Sequence, residues 1–344
     1  MRSPDVTAIS GADPADLLLS VQDLQVEFST SAGVVRALDG VSFDVRAGET
    51  VAILGESGSG KSVTAQAIMA LLPKPAGSIV GGRVLYHGKD LVAEPVSRVR
   101  ELCATEIAMV FQDPLSSLNP VYRVGWQIAE LFRRRRGTPK REALAKALEL
   151  LKRVGIQNAE SRIRDYPHQF SGGQRQRIMI AMAIALEPHL LIGDEPTTAL
   201  DVTVQKQVMN LLADLQAETG MGMILISHDL GVVADVADRA AIMYAGRIVE
   251  TGVIREVYDH PAHPYTNGLL GSIPSNTSIG QRLTPVVGSP PDLLALPPGC
   301  AFHPRCPFAT ERSRTVVPQL REPSGWPSGH FAACHRSEEV LAHG

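Results

Sequence analysis

The chain of 344 residues is 44% hydrophobic and 20% charged, a composition typical of a globular protein with one substantial core and a smaller appendage. Its formal net charge of -3 gives no chain-wide attraction to nucleic acid, so no nucleic-acid partner is expected, and the basic run Arg133 to Arg136 is predicted to be a solvated helix end or loop. No segment approaches the roughly 20 uninterrupted apolar residues of a membrane helix, and the first residues lack the apolar core of a secretion signal.

The first elements are predicted from apolar spacing and turn residues. Leu17 to Phe28 and Val34 to Val45 are predicted to be strands of an antiparallel β entry, joined by the turn at Ser29 to Gly33. Thr50 to Leu54 is a short apolar run that ends in a glycine-rich loop, and Ser62 to Leu72 has helical composition. This order predicts a β-loop-α unit.

The glycine-rich loop, GESGSGKS from Gly55 to Ser62, fits the phosphate-binding P-loop pattern in the strand-to-helix context that the pattern requires. Glycine is needed because backbone N–H groups must turn inward around phosphate oxygens, and the helix N-terminus behind them adds partial positive charge. Lys61 is expected to reach the β- and γ-phosphates, and the Ser62 hydroxyl to hold Mg²⁺. The predicted phosphate-binding residues are Gly55, Ser57, Gly58, Gly60, Lys61, Ser62 and Val63.

A helical insertion is predicted between about 115 and 185. One of its helices is expected to begin at Thr138-Pro139 and to stop at Gly155. The apolar residues of this helix that repeat at helical spacing are Leu144, Leu148, Leu151 and Val154.

Three short apolar runs, Ile107 to Phe111, Leu190 to Gly193 and Met223 to Ser227, are predicted to be strands buried in a parallel sheet. The second run delivers two carboxylates at its carboxyl end, where open α/β sheets bind their ligands. Asp194 is expected to position Mg²⁺, and Glu195 to orient or deprotonate an attacking water.

The segment Phe170-Ser171-Gly172-Gly173-Gln174 resembles the signature loop of ABC ATPases, with Phe170 where leucine is more usual. The remaining family motifs follow in the family's order. They are the Q-loop at Gln112, the D-loop at Ala199-Leu200-Asp201, the switch histidine at His228 and, before the P-loop, the adenine-stacking aromatic at Phe28. The resemblance implies a P-loop ABC ATPase domain of the α/β class, with a mainly parallel sheet, an antiparallel β subdomain and a helical subdomain.

The resemblance also implies a mechanism. Two such domains pair head to tail, and each ATP lies between one P-loop and the facing chain's signature residues Ser171, Gly172, Gly173 and Gln174. Gln112 would sense Mg²⁺ and water, and His228 would contact the γ-phosphate and Glu195. Because the chain carries one copy of each motif, it needs a partner, either a paralogous ATPase or a second copy of itself.

The segments Gln112 to Pro120 and His263 to Thr266 resemble those of ATPases of oligopeptide and dipeptide (peptide/nickel) importers, and the P-loop surroundings resemble the first of their two ATPases. This implies two membrane permeases, an extracytoplasmic peptide-binding protein, and a peripheral position on the cytoplasmic face of the bacterial inner membrane. Nickel or another solute is the alternative cargo, and a non-transport ABC ATPase is the alternative class. The expected organisation is a flexible N-terminus at 1–16, an ATPase domain at 17–260 and a proline-rich, peptide-importer type extension at 261–344.

The extension resembles a cysteine-bearing tail that in many relatives is associated with an iron–sulfur cluster, whose usual ligands are four thiolates. This chain offers Cys300, Cys306 and Cys334, and has Ser313 at the remaining family position. A [4Fe-4S] cluster with a serine or histidine ligand, zinc on Cys₃His, and a missing ligand all stay open. Cys103, in the first domain, is expected to be a buried small side chain.

Overall fold

The computed structural model describes residues 16–198, 200–272, 286–326 and 328–343. The chain forms two compact units, unit 1 from residues up to 95 and from 226 onward, and unit 2 from 96 to 225. The predicted flexible N-terminus lies outside the described residues except for Asp16, and so does Ala199 of the predicted D-loop. In the described part of the chain, no helix has the length and apolarity needed to cross a bilayer.

The first part of unit 1 is mainly β. Its elements are β1 (Leu17–Thr30), β2 (Gly33–Arg46), β3 (Thr50–Leu54), α1 (Lys61–Ile68), β4 (Gly77–Tyr86) and β5 (Lys89–Asp90).

Unit 2 is mainly helical. Its elements are α2 (Val96–Leu102), β6 (Ile107–Val110), α3 (Pro114–Ser117), α4 (Val124–Arg136), α5 (Lys140–Arg153), α6 (Ala159–Arg162), α7 (Gly172–Ile184), β7 (Leu190–Asp194), α8 (Val202–Thr219) and β8 (Gly222–Ser227), the last of which ends in unit 1.

The rest of unit 1 adds short elements. They are α9 (Leu230–Val233), β9 (Arg239–Tyr244), β10 (Arg247–Val253), α10 (Ile254–Asp259), α11 (Pro264–Leu270), α12 (Glu311–Thr315), β11 (Phe331–Ala332) and α13 (Ser337–His343).

An antiparallel sheet of order β2-β1-β4-β5 forms the predicted β entry of unit 1. Along β1, Leu18 to Val21 are all buried, and the next buried residues, Leu24 and Val26, are offset by one position from the alternation of Leu19 and Val21. This slip of one residue coincides with a register shift against β2 and with a positive φ of 48° at Asp23. A bulge of this kind keeps the apolar residues on the core face, because each extra residue would otherwise reverse the side-chain alternation.

A second group of strands in unit 1 has the order β11-β10-β9-β3. All residues of β3 are buried, and β3 runs parallel to β9, as the apolar run at Thr50 to Leu54 predicts. The helix after β3 is shorter than predicted. It ends at Ile68, and two residues later Ala70 has a positive φ of 52°, which does not continue a right-handed helix.

In unit 2, the neighbouring strands β6 and β7 are parallel, and Val110 pairs with Gly193 at their carboxyl ends. The predicted helical insertion is present as α4 to α7. The buried face of α5 differs from the predicted stripe, since Leu144 is 44% exposed whereas Ala143 and Ala147 are buried. The basic run forms the exposed last turn of α4, which confirms that it is a solvated helix end.

Candidate active site

The glycine-rich loop of unit 1 joins β3 to α1 and has the backbone that a phosphate cradle needs. Gly55, Gly58 and Gly60 have positive φ values of 150°, 81° and 107°. A Cβ on Gly55 would lie 2.2 Å from the Met243 carbonyl oxygen, whereas a Cβ on Gly58 would meet no atom within 4 Å. Gly55 therefore packs against the end of β9, and Gly58 faces open space.

Lys61 is held inside this loop. Its side chain is 4% exposed, and its Nζ donates to the carbonyl oxygens of Gly55 at 2.7 Å and Glu56 at 2.9 Å. The buried hydroxyl of Ser59 has no hydrogen-bond partner, and the Ser62 hydroxyl lies half-buried at the start of α1. A buried ammonium and an unsatisfied buried hydroxyl inside a glycine loop fit a bound triphosphate, because phosphate oxygens can accept from both donors.

The predicted catalytic carboxylate and the predicted Q-loop residue meet in unit 2. Gln112 follows β6 and Glu195 follows β7, so the pairing of these strands brings both to the same sheet edge. The Gln112 Nε2 donates to the Glu195 Oε2 at 3.0 Å. Next to them, the Asp194 side chain at the end of β7 is buried, with 7% exposure.

Glu195 is also held by a residue that sequence reasoning missed. The Thr198 Oγ1 donates to the same Oε2 at 2.8 Å, from the turn that follows β7. Glu195 has a positive φ of 48°, which for a residue with a Cβ costs roughly 1 kcal/mol or more. Two donors on one oxygen and a strained backbone fix the carboxylate's direction, as a catalytic base requires.

The signature residues form the N-terminus of α7. Ser171 caps the helix, since its Oγ accepts from the Gln174 N–H at 3.3 Å, and the Gln174 Oε1 accepts from the Ser171 N–H at 3.1 Å. The unusual Phe170 is buried, with the Arg162 guanidinium 4.1 Å from its ring centre. Ser171 and Gly172 are exposed, so this helix end is open to a facing molecule.

The remaining predicted residues stand at element ends or edges. Asp201 caps α8 by accepting from the Val204 N–H at 3.0 Å, and His228 is exposed after β8. Phe28 is half-buried near the end of β1, opposite Gly77 on β4. A Cβ on Gly77 would lie 2.8 Å from the Phe28 ring, so glycine there leaves the ring its position.

Two protein-family models match the sequence, one described as "ABC transporter" at residues 38–198 and one as "Oligopeptide/dipeptide transporter, C-terminal region" at 249–312. The chain is 51% identical over 290 residues to the dipeptide transport ATP-binding protein DppD of Bacillus subtilis, across 84% of this chain and 87% of that protein. The chain belongs to the ABC transporter ATPases.

Further similarities agree. The chain is 46% identical over 335 residues to the oligopeptide transport ATP-binding protein OppD of Salmonella typhimurium, across 97% of this chain and 98% of that protein. The ATP-binding cassette MJ0796, solved as a dimer bound to ADP and Pi, superposes with a TM-score of 0.62 at 26% identity, across 69% of this chain and 99% of that chain. These similarities and the observed sheets confirm the predicted P-loop ABC ATPase fold.

In this ABC ATPase, the three tail cysteines line one small cavity, together with Ser313. Burial raises the pKa of Cys300 and Cys306 and raises that of Cys334 to about 11. Ser313 is not a free ligand, because its Oγ lies 3.3 Å from the Thr310 N–H within a capping box at the start of α12. Among the described residues, no group of three or more His, Cys, Asp or Glu side chains could hold a metal ion. The residues present therefore do not fit a four-thiolate cluster.

Cys103 lies in unit 2, apart from that cavity. Its side chain is partly buried, and burial raises its pKa to about 11. This environment is that of a small structural side chain.

Sequence reasoning missed the buried carboxylate that anchors the extension. Glu250, inside β10, is 0% exposed and accepts from the Ala262 N–H at 2.7 Å and the His263 N–H at 2.9 Å. The His330 Nε2 lies 2.7 Å from the same carboxylate. The available signal was a single carboxylate directly after the apolar pair Ile248-Val249.

Proposed function

We propose that this chain is the ATP-binding and ATP-hydrolysing subunit of an importer for di- or oligopeptides. The buried Lys61 inside a loop of three positive-φ glycines is the observation that carries the nucleotide part. Similarity along almost the whole chain to proteins named for dipeptide and oligopeptide transport supports the cargo class.

In this proposal, unit 1 binds the phosphates. The inward N–H groups of the loop and the Lys61 ammonium hold the β- and γ-phosphates, and Phe28 stacks on adenine. Val63, Ser57 and the loop glycines contribute backbone contacts. Mg²⁺, when bound, neutralises charge on the phosphate oxygens, and the Ser62 hydroxyl and Asp194 carboxylate are oxygen donors of the kind it prefers.

In the proposed hydrolytic step, each polar residue at the ends of the strands has one role. Glu195 accepts the proton of the attacking water, and the donors Gln112 and Thr198 keep its Oε2 oriented. His228 contacts the γ-phosphate. Gln112, Thr198 and His228 act by orientation or by charge, which is how phosphoryl transfer is generally accelerated.

The helix end at Ser171 to Gly173 is proposed to contact the ATP that a facing ATPase binds. Gln174 stabilises this helix end through the capping box with Ser171. The Asp201 turn is proposed to belong to the same contact. The partner would be a paralogous subunit in a head-to-tail heterodimer, a homodimer being the alternative. Two permeases and an extracytoplasmic peptide-binding protein complete the assembly, with this chain on the cytoplasmic face of the bacterial inner membrane.

The proposal is tested by assembling the chain with its permeases and binding protein in proteoliposomes. We expect ATP hydrolysis to rise on addition of the peptide-loaded binding protein, together with uptake of labelled di- or oligopeptide. Uptake of Ni²⁺ without peptide uptake would replace the cargo class and keep the ATPase role. Absence of ATP hydrolysis in an assembled complex would contradict the function.

A metal centre in the tail is a separate hypothesis: Cys300, Cys306 and Cys334 line one cavity, but as placed they form no metal-holding group among the described residues. Iron, sulfide and zinc analysis of anaerobically purified protein, with a visible spectrum, tests both the iron–sulfur and the zinc version. A colourless, metal-free, folded protein would rule out both.

A further inference from the structure

Glu56, the second residue of the P-loop, forms hydrogen bonds with the C-terminal extension through two of its groups. The Glu56 N–H donates to the Tyr265 Oη at 2.7 Å. Its carboxylate accepts from both terminal nitrogens of Arg305, at 2.6 Å and 2.9 Å. Lys61 donates to the Glu56 carbonyl and also to the Gly55 carbonyl, which shares a peptide unit with the Glu56 N–H. The extension therefore touches the same peptide unit that positions the phosphate-binding lysine.

Tyr265 is placed rigidly for this contact. It is 0% exposed, in α11, and its ring packs 4.7 Å from that of Tyr244. Its own N–H donates to the His263 Nδ1 at 3.1 Å, and the His263 N–H donates to the buried carboxylate of Glu250. Burial raises the pKa of Tyr265, so its hydroxyl stays neutral and can accept the Glu56 N–H.

Arg305 is held in place before it meets Glu56. Its side chain is only 5% exposed, and its Nε donates to the Val287 carbonyl at 2.9 Å. Its guanidinium lies 5.8 Å from the ring centres of Tyr244 and Phe302. The Glu56 carboxylate raises the pKa of Arg305, so the guanidinium keeps its charge in this pair. A bidentate pair with one rigid partner fixes direction as well as distance.

We propose that Arg305 and Tyr265 are positioning residues for the P-loop, through which the extension sets the affinity for nucleotide. Tyr265 fixes the Glu56 peptide that Lys61 bonds, and Arg305 cancels the negative charge that Glu56 brings to a loop built for a polyanion. This inference rests on the proposed binding of ATP at the loop. It makes the extension a part of the nucleotide site.

A purely structural role is the competing interpretation, in which Arg305 only ties the extension to the domain. The two interpretations predict different effects of removing the Glu56 charge. If Arg305 acts by cancelling the Glu56 charge, removing that charge must relieve the loss of Arg305. If Arg305 only packs against Tyr244 and Phe302, the Glu56 substitution cannot relieve it.

The experiment is a double-mutant cycle on the full-length chain, with fluorescent ATP analogue and Mg²⁺ titrated to obtain Kd. Arg305→Gln should raise Kd about tenfold, because it leaves a carboxylate without its partner beside the phosphates. Glu56→Gln should bind no more weakly than the unaltered chain. The double variant should return to within about twofold of Glu56→Gln. Tyr265→Phe, which deletes only the acceptor of the Glu56 N–H, should raise Kd about fivefold.

The matched control is Arg321→Gln, since Arg321 forms a bidentate pair with Glu338 elsewhere in the extension. It should leave Kd unchanged. Melting curves of each variant report folding separately. If Arg305→Gln does not fold, Arg305→Lys takes its place in the cycle, with a smaller increase in Kd that Glu56→Gln again relieves.

An unchanged Kd in the folded Arg305 variant, or an increase that persists undiminished in the Glu56→Gln background, would overturn the inference. Lys61→Ala separates this from failure of the proposed function. If the unaltered chain binds the analogue and Lys61→Ala does not, ATP binding at the loop stands whatever the Arg305 result. If the unaltered chain fails to bind, the proposed function falls first.

Discussion

The nucleotide motifs and the C-terminal extension are built in opposite ways. The P-loop forms from consecutive residues, with positive φ at Gly55, Gly58 and Gly60 and a lysine bonded to its own loop. The extension has only short elements, and side-chain pairs between distant residues hold it, such as Glu250 with His330 and Arg305 with Glu56. One region depends on local backbone, and the other on single long-range side chains.

This difference predicts how the two regions fail. A substitution of a reacting side chain in the motifs should remove activity and leave stability unchanged, because the backbone that shapes the motif remains. A substitution of a buried pair in the extension should lower stability, because few other contacts replace it. The predictions below test both halves.

The largest effect is expected at Glu195. Glu195→Gln should lower steady ATP hydrolysis by about 10²- to 10⁴-fold and still allow ATP-bound dimers to form. Both Gln112 and Thr198 donate to a single oxygen of this side chain, so a glutamine carbonyl can accept the same bonds and keep the local structure. Phosphate release measures the loss, and size-exclusion chromatography with ATP detects the dimer.

Glu187→Gln is the matched control, because Glu187 lies nearby in sequence with a side chain that is 75% exposed. Its hydrolysis should be unchanged. Near-normal turnover in Glu195→Gln would remove Glu195 from the catalytic role, and a large fall in melting temperature would break the contrast between motif and extension.

The second effect concerns stability. Glu250→Ala leaves the N–H groups of Ala262 and His263 and the ring of His330 without their shared acceptor inside the protein. We expect the free energy of unfolding to fall by about 3 to 5 kcal/mol. Denaturant titration measures it, and the exposed Asp259→Ala, nine residues along, should change it by less than about 0.5 kcal/mol. Equal effects of the two substitutions would show that Glu250 does not anchor the extension.

A third effect separates the two signature glycines. A Cβ on Gly173 would lie 2.6 Å from the Cγ1 of Val204, whereas a Cβ on Gly172 would lie 3.8 Å from its nearest neighbour, in Leu200. Gly173→Ala should therefore destabilise unit 2 by about 1 to 3 kcal/mol, since valine has few rotamers into which it can retreat. Gly172→Ala should leave the melting temperature unchanged. Indistinguishable melting curves would mean that α8 yields to the added methyl group.

The same contrast explains what could be predicted from the sequence. The P-loop, the carboxylates at the end of β7 and most strand positions follow from local spacing, because glycine placement and apolar runs dictate those conformations. Apolar spacing alone did not show which side of α5 packs, since Leu144 belongs to the apolar repeat and is 44% exposed. The Arg305–Glu56 pair was not predictable, because it joins residues 249 apart and depends on the folded path between them.

The smallest effect is expected at an exposed charged pair in the extension, which tests whether only buried pairs stabilise that region. Arg321 and Glu338 are 44% and 37% exposed, so Arg321→Gln should cost less than about 1 kcal/mol at neutral pH. The hydrogen bonds from Arg321 lower the pKa of Glu338 from 4.5 to about 2. Because the pKa of Glu338 is lower in the folded protein than in the unfolded chain, its ionised carboxylate stabilises the fold above about pH 4.5. This contribution to the unfolding free energy is lost as the pH falls from 4.5 toward about 2. The difference in unfolding free energy between the unaltered chain and Arg321→Gln should therefore shrink across that window. A difference that stays constant with pH, or that rivals the loss at Glu250, would show that exposed pairs hold the extension as firmly as buried ones.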